Sequence, residues 1–314
     1  MRGGRSGHQA RWQRVTPSCS LICSTISRSL RRIQLVGPLS LRTLFYKYRR
    51  RSPFNHSVPC RPHFNDLMSR PLPDLRYAIF FTPRSGSSYL SDLIGGTGTM
   101  GDAVEVFNPV LAHSIARAMG ASSLDEYVGK ILRARNTKGV FGAELTWPHL
   151  LSIFKTERRF LQYVEPSKFI WLRRQDIVAQ AVSVMAMVQS GVAHAKSATK
   201  DDIQRSRDTL VYDQRHIRRI VSMLAWSERN IESFFQAHQV EPLRMTYEQM
   251  MATPTHEIVQ SIADHLGVKI DLGDAPESGH KKLSGSRNSD FADRFRTENA
   301  SFVRKVEQRR VAGS

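Results

Sequence analysis

The sequence has little cysteine and no metal-binding motif. Its 314 residues include three cysteines, Cys19, Cys23 and Cys60, so everything after residue 60 is free of cysteine. That absence excludes a disulfide framework and a cysteine-based metal site from most of the chain. The histidines are scattered, and neither an H-E-x-x-H motif nor a paired-cysteine motif accompanies them. We therefore expect no metal site.

Long apolar runs are also missing. No stretch of about 18 apolar residues occurs, which argues against a transmembrane helix. The segment Leu21–Ile26 is too short and too polar for the core of a secretory signal. Hydrophobic residues still make up 40% of the chain and charged residues 24%. This balance suits one or two globular domains with a substantial core.

Acidic residues are almost absent from the first fifth of the chain. Residues 1–67 hold 13 of the 46 Lys and Arg but only one of the 28 acids, Asp66, so they carry +12 and the remainder +6. Three interpretations compete for this segment: an organelle transit peptide, a basic arm for nucleic acid or anionic lipid, and an upstream extension of a chain that starts at Met68. We expect residues 1–70 to be a basic, disordered extension and residues 71–314 to form the domain. A chain beginning at Met68 should fold.

Strands alternate with helices after residue 71. The predicted strands are Tyr77–Thr82, Gly139–Leu145, Phe169–Leu172 and Leu243–Thr246. The predicted helices are 87–94, 108–134, a short one after Pro148, 176–189, 211–237 and 255–266. Short apolar strands separated by helices predict an α/β fold with three layers, in which a mostly parallel central sheet is flanked by helices. Ligands of such sheets bind beyond the carboxyl ends of the strands.

The segment YAIFFTPRSGSSYL, residues 77–90, has the pattern of an anion-binding loop. A predicted strand ends in a loop that consists of Pro83, Arg84, Ser85, Gly86, Ser87 and Ser88. The helix that follows presents unpaired amides and a partial positive charge, so phosphate is a natural ligand. The alternative is an ordinary turn with a serine-capped helix. The loop is not G-x-x-x-x-G-K-[ST], so the lysine of an ATP or GTP P-loop is not in register.

Five segments together resemble one enzyme family. They are TPRSGSSYL, GDAVEVFNP, FGAELTW, LRRQDIVAQAVS and LRMTYEQM, and they resemble the bacterial sulfotransferases of the trehalose 2-sulfotransferase type over about residues 75–300. The resemblance implies a P-loop-like fold and metal-independent transfer of a sulfuryl group from 3'-phosphoadenosine 5'-phosphosulfate (PAPS) to a hydroxyl of a carbohydrate or glycolipid. It also implies a homodimer. The PAPS supply and the lack of an export signal suggest a cytoplasmic location.

The resemblance assigns two anion sites to the PAPS donor. The loop from Pro83 to Ser88 would hold the 5'-phosphate, and Arg84 would neutralise charge on the leaving oxygen, as electrostatic catalysis of group transfer requires. Arg173, at the end of a strand, and Ser183, in the next helix, would bind the 3'-phosphate, because the arginine fork matches phosphate oxygens. Gln180 is an alternative to Ser183.

The acceptor side is assigned in the same way. Glu105 matches the acidic residue that the family uses as general base, with Asp102 as the other candidate. Burial of Glu105 would raise its pKa toward the working range. His194 is a candidate contact for the acceptor. Two positions depart from the family pattern: Ala193 stands where an aromatic residue is common, and Glu144 where many relatives carry a basic residue.

Two other function classes fit parts of the sequence. A nucleotide-dependent phosphotransferase would share the phosphate loop, but the missing lysine argues against it. A basic nucleic-acid-binding protein would bind with an affinity that falls steeply with salt, and it would owe that binding to residues 1–67. For the domain itself we expect no nucleic acid, because its charge is modest.

Overall fold

A computed structural model describes residues 66–165, 167–191, 208–271 and 286–311, together with Phe54, Phe64 and Gln204. The candidate acceptor contact His194 and most of residues 1–65 lie outside the described residues.

The described chain forms four strands and eleven α-helices. The strands are β1 (Leu75–Phe81), β2 (Val140–Leu145), β3 (Ser167–Arg173) and β4 (Leu243–Thr246). The helices are α1 (Ser87–Gly96), α2 (Pro109–Met119), α3 (Leu124–Ala134), α4 (Trp147–Ile153), α5 (Glu157–Val164), α6 (Ile177–Ser190), α7 (Gln214–Ala237), α8 (Tyr247–Ala252), α9 (Thr255–Leu266), α10 (Ser286–Glu298) and α11 (Ala300–Val311). None of these helices is both long and apolar enough to cross a membrane.

The four strands make one parallel sheet in the order β2-β1-β3-β4. Strand β1 is central and pairs in register with both neighbours, Phe80 opposite Leu145 on one side and opposite Trp171 on the other. The short β4 extends the sheet beyond β3. All four carboxyl ends therefore meet at one edge of the sheet, and the loop after β1 lies between the loops after β2 and β3.

Apolar cores cover both faces of the sheet and make the predicted three-layer α/β fold. Ala78 and Phe80 point into one core with α2 to α5 and α7, while Tyr77, Ile79 and Phe81 point into the other with α1, α8 and α9. Successive strand side chains point to opposite faces, so β1 and β2 must be apolar almost throughout. The sequence analysis recognises such continuous runs as buried strands.

The predicted helix over residues 108–134 is two helices. Asn108 caps α2 by accepting a hydrogen bond from the Val110 amide, and the following proline suits the first helical position. Gly120 then ends α2 with a left-handed backbone, φ 61°. Ser123 caps the start of α3. The helical spacing of apolar residues continues across this break, because both helices turn an apolar face to the same core.

The two C-terminal helices tie down the turn between β3 and α6. Arg310 on α11 donates hydrogen bonds to the carbonyl oxygens of Arg174 (2.6 Å) and Gln175 (2.7 Å). Arg296 on α10 binds both carboxylate oxygens of Asp176 at 2.6 and 2.7 Å. Asp176 in turn caps α6. Since the carbonyls at a strand end would otherwise need water, these guanidinium groups fix the position of α6.

Three side chains on the N-terminal side of residue 70 lie in the core of the domain. Phe54, Phe64 and Leu67 are 4%, 5% and 1% exposed. The ring of Phe54 lies 5.2 Å from that of Tyr127, measured between centroids. The sequence analysis did not foresee these contacts, and its division of the chain at residue 70 stays a prediction.

A chain that begins at Met68 loses these three buried side chains. Each contributes about 1.5–3 kcal/mol when it is fully buried. We expect the shortened chain to fold but to unfold at a lower urea midpoint than the full chain. Met68→Ala in the full chain is the control, because that side chain is 52% exposed. Equal midpoints for the shortened and full chains would show that the three contacts contribute nothing.

Candidate functional site

Three loops converge where the strands end. The Pro83–Ser88 loop follows the central strand β1, the turn Arg174–Asp176 follows β3, and α4 begins directly after β2. A further segment reaches this edge from the side: Val104 pairs with Ala143 of β2 in a parallel bridge. That bridge brings Glu105 next to the end of β2, one strand away from the loop.

The loop after β1 has a left-handed backbone at two positions. Arg84 has φ 67° and Gly86 has φ 90°, a region that favours glycine. Gly86 also lies against the side chains of α8. A Cβ atom there would come within 2.9 Å of the Tyr247 ring and 3.2 Å of the Met250 methyl group. Glycine is thus required both by its backbone angle and by the close approach of Tyr247.

Several hydrogen-bond donors in the loop are available to a ligand. Gly86 precedes α1, and no side chain caps that helix, so its first amides have no intrahelical partner. The hydroxyl of Ser85 is buried and makes no hydrogen bond within the described residues. A buried hydroxyl without a partner is costly. A bound anion at this loop would remove that cost.

Gln180 of α6 holds the loop in place. Its amide nitrogen donates to the hydroxyl oxygen of Thr82 at 2.9 Å and to the carbonyl of Pro83 at 2.8 Å. The side chain is completely buried, and its two amide hydrogens are used in these bonds. Gln180 therefore supports the backbone of the loop from beneath.

Arg84 and Ser183 are in direct contact. The Arg84 Nε atom donates to the Ser183 hydroxyl at 3.0 Å, which joins the two regions assigned to the two ends of the donor. Arg174 adds a second cation: its guanidinium group donates to the Arg84 carbonyl at 3.4 Å and stacks 4.8 Å from the centre of the Tyr247 ring. Burial and the charge of Arg174 lower the pKa of Arg84, which stays cationic at neutral pH.

Arg173 is the last residue of β3, and its side chain faces α7, whereas Arg174, the first residue after the strand, contacts Tyr247 of α8 on the other side of the sheet. Its guanidinium group is 3.7 Å from the carboxylate of Glu228 and 3.8 Å from that of Glu232, both on α7. Its side chain borders a cavity of about 210 Å³ between α7 and α11. The 3'-phosphate role of Arg173 stays a prediction, and in this structure the side chain already has anionic partners.

Glu105 is a half-buried carboxyl group at the end of β2. Its side chain is 23% exposed and accepts a hydrogen bond from Asn108 at 2.9 Å. Burial raises the pKa of Glu105, and the Asn108 bond partly offsets that effect. This is the direction that a general base near neutral pH needs.

His149 lies 3.9 Å from the Glu105 carboxylate, and the two groups do not form an ion pair at neutral pH. Burial lowers the pKa of His149 to about 3, so its ring is neutral. The Thr146 amide donates to Nδ1 of the ring at 3.5 Å. This bond assigns the proton to Nε2. Glu105 thus has a neutral neighbour, which does not lower its basicity as a cation would.

Asp102, the other candidate for the base, is held in an ion pair. Its carboxylate accepts a bond of 3.2 Å from Arg135, whose side chain is only 3% exposed. The carboxylate of Asp102 is therefore already engaged by a buried guanidinium group. The geometry favours Glu105 over Asp102.

The residues of this edge fit a donor with two anionic groups. Positive charge at this edge comes from Arg84 and Arg174. Hydrogen-bond donors come from the loop amides and the buried Ser85 hydroxyl, and Ser183 lies next to them. Among the residues that the structure describes, no group of three or more His, Cys, Asp or Glu is placed to hold a metal ion.

Two neighbours of the loop were missed or undervalued in the sequence. Tyr247 is not among the predicted site residues, yet its ring packs on Gly86 and under Arg174. The donor role predicted from the sequence goes to Arg173, yet it is Arg174 that reaches the loop, at the Arg84 carbonyl, while the nearby Asp176 is bound by Arg296. The available signal was the pair of adjacent arginines where β3 ends, because Arg173 closes the strand and Arg174 opens the turn that follows it.

One of the comparisons with known proteins identifies the family of this chain. A family model described as Stf0 sulphotransferase matches residues 76–298. Trehalose 2-sulfotransferases of Mycobacterium tuberculosis and Mycolicibacterium smegmatis are each 24% identical to this chain, over 71% of it and 94% of their own length. A crystal structure of retinol dehydratase with retinol and PAP aligns with a TM-score of 0.33 and 15% identity, over 81% of this chain and 86% of that one. At that TM-score the alignment has no bearing on the fold or the site.

Gly86→Ala tests the close approach of Tyr247. A left-handed backbone at a residue other than glycine costs about 1–2 kcal/mol, and the new methyl group would also displace the Tyr247 ring. We expect a lower urea midpoint and weaker binding of 3'-phosphoadenosine 5'-phosphate (PAP). Gly98→Ala is the matched control, because Gly98 has φ 63° but nothing within 4 Å of its missing Cβ. Equal effects of the two substitutions would mean that the Tyr247 contact is unimportant.

Proposed function

The chain belongs to the Stf0 sulphotransferase family, and from that premise we propose that it transfers a sulfuryl group from PAPS to a hydroxyl group of a carbohydrate. The observation that carries the proposal is the Pro83–Ser88 loop, with its uncapped helix start, its buried unbonded Ser85 hydroxyl and the adjoining pair Arg84 and Ser183. The two named mycobacterial relatives support trehalose or a trehalose-like glycolipid as the acceptor.

The loop would bind the donor at its 5'-phosphate. The amides at the start of α1 and the hydroxyls of Ser85, Ser87 and Ser88 would donate to the phosphate oxygens. PAPS supplies a sulfonate that is already activated by its bond to that phosphate. Arg84 would stabilise the negative charge that develops on the bridging oxygen as the sulfur–oxygen bond breaks.

Ser183 is the better candidate than Gln180 for the 3'-phosphate. Both amide hydrogens of Gln180 are used within the protein, whereas the Ser183 hydroxyl is partly exposed and contacts a cation. Arg173 would join Ser183 if it released Glu228 and Glu232, a change that a doubly charged phosphate favours electrostatically.

Glu105 would accept the proton of the acceptor hydroxyl. Its raised pKa supports this role, because a base should lose its own proton just below the working pH. The neutral His149 ring beside it does not pair with its charge. We further propose that His194 contacts the acceptor, that the protein is a homodimer and that it acts in the cytoplasm; these proposals rest on the family resemblance and on where PAPS is made.

Transfer of labelled sulfate from PAPS to a panel of sugars and glycolipids tests the proposed activity. We expect a labelled product with trehalose or a related saccharide. Thermal unfolding with PAP and with ATP plus magnesium separates this function from a phosphotransferase. A larger shift with ATP plus magnesium, together with no labelled product, would contradict the proposal.

Arg84→Ala should slow sulfuryl transfer by about a hundred- to a thousandfold, the usual effect of removing one key electrostatic donor. The rate at saturating PAPS is the measurement. Arg219→Ala is the control for general loss of charge, since Arg219 is exposed on α7. A near-normal rate in a folded Arg84→Ala protein would rule out the role given to this arginine.

Glu105→Gln should abolish transfer but leave PAP binding intact, because the amide keeps the shape of the side chain and cannot accept the proton. Calorimetry gives the affinity for PAP. In the wild type, the rate should fall as the pH drops through the raised pKa of Glu105, at a higher pH than an exposed glutamate would give. Lost PAP binding in the variant would instead place Glu105 in the donor site.

A further inference from the structure

A second carboxyl group lies beside the proposed base. Glu144 is in β2, a strand in which all six residues are buried, and its own side chain is 4% exposed. One carboxyl oxygen, Oε1, is fully buried and has no hydrogen-bond partner within the described residues. A buried carboxylate normally has a cation or several donors around it. Burial of Glu144 as a charged carboxylate at this position would therefore be costly.

Its backbone is coupled to that of Glu105. The Glu144 amide donates to the carbonyl of Val104 at 3.0 Å, and Val104 directly precedes Glu105. The side chain lies on the face of β2 shared with Val140 and Gly142, which is the face covered by α1. The strand position that holds Glu144 thus also positions the proposed base.

The charged groups that act on Glu144 within the described residues are carboxyl groups. Asp92 on α1 and Glu105 are both carboxyl groups that act on it. Tyr77 on β1 donates its hydroxyl to the Met100 carbonyl. Asp102 is paired with Arg135, and His149 of α4 is neutral. Burial and these two carboxyl groups raise the pKa of Glu144 well above its usual range.

We propose that Glu144 is a positioning residue for the base: it stays a neutral carboxylic acid inside the sheet, so that Glu105 and Glu144 together carry a single negative charge at neutral pH. The catalytic part of this statement rests on the proposed function, and the protonation of Glu144 does not. Ionisation of Glu144 at higher pH would put two like charges together at the edge where the sulfonate must bind. That ionisation sets an upper pH limit to the activity.

The stability of Glu144→Gln tests the buried proton without any assay of activity. An unfolded glutamate ionises near its ordinary pKa, whereas the folded protein keeps the proton to a higher pH. The wild type must therefore lose stability as the pH rises between these two values. Glutamine mimics the neutral acid and cannot ionise. We expect the melting temperature of the variant, relative to the wild type, to rise as the pH increases from about 5, until Glu144 ionises in the folded protein as well.

Two further variants test whether the pH-dependent stability difference comes from Glu144 and its neighbour Glu105. Glu241→Gln is the control, because that side chain is exposed, and its difference from the wild type should not change with pH. Glu105→Gln removes one of the two like charges, so the extra stability gained by Glu144→Gln at high pH should shrink in that background. A pH-independent difference between Glu144→Gln and the wild type would overturn the proposal.

The pH profile of sulfuryl transfer then tests the link to the base. We expect Glu144→Gln to raise the ratio of the rate at about pH 9 to the rate at about pH 7. An unchanged ratio in a variant that passes the stability test would overturn the positioning role. If the wild type transfers no sulfate at all, the proposed function fails, while the stability result still decides whether Glu144 keeps its proton.

Discussion

The candidate site depends on one backbone constraint, the left-handed turn directly after the buried strand β1. Arg84 and Gly86 both adopt positive φ angles, and the turn is held by Gln180 from beneath and by Tyr247 against Gly86. Strain of this kind persists only where the surroundings fix it. It exposes the amides of α1 and turns Arg84 toward Ser183. Everything proposed for the donor follows from that local geometry.

The sequence predicts the sheet and the loop well because their signals are local. Continuous apolar runs mark β1 to β3, and the predicted bounds of α9 agree with the structure, including its end at Gly267. The helices α5, α8, α10 and α11 were not predicted. Helices α5 and α8 are short, and α10 and α11 are largely polar. Contacts such as that of Arg310 with the carbonyl oxygens of Arg174 and Gln175 stabilise the C-terminal pair from elsewhere in the chain.

Site residues that belong to a single segment of the chain could be predicted from the sequence. Contacts between site residues on different segments could not. The Pro83–Ser88 loop and Glu105 could be chosen from motifs. The contact between Arg84 and Ser183 spans 99 positions, and no local pattern reports it. The partners of Arg173 on α7 and the contact of Arg174 with Tyr247 of α8 are equally absent from any local pattern. Ion pairs between residues that are distant in the sequence can be identified only from the folded structure.

The anchoring of the β3–α6 turn by Arg310 has a consequence for the order of assembly during synthesis. The ribosome makes Ser183 and its helix long before it makes Arg310, yet the carbonyls that lead into that helix accept hydrogen bonds from Arg310 in the folded chain. A nascent chain can therefore form the central strands early. The donor side of the site gains its final rigidity only after residue 310 has emerged from the exit tunnel.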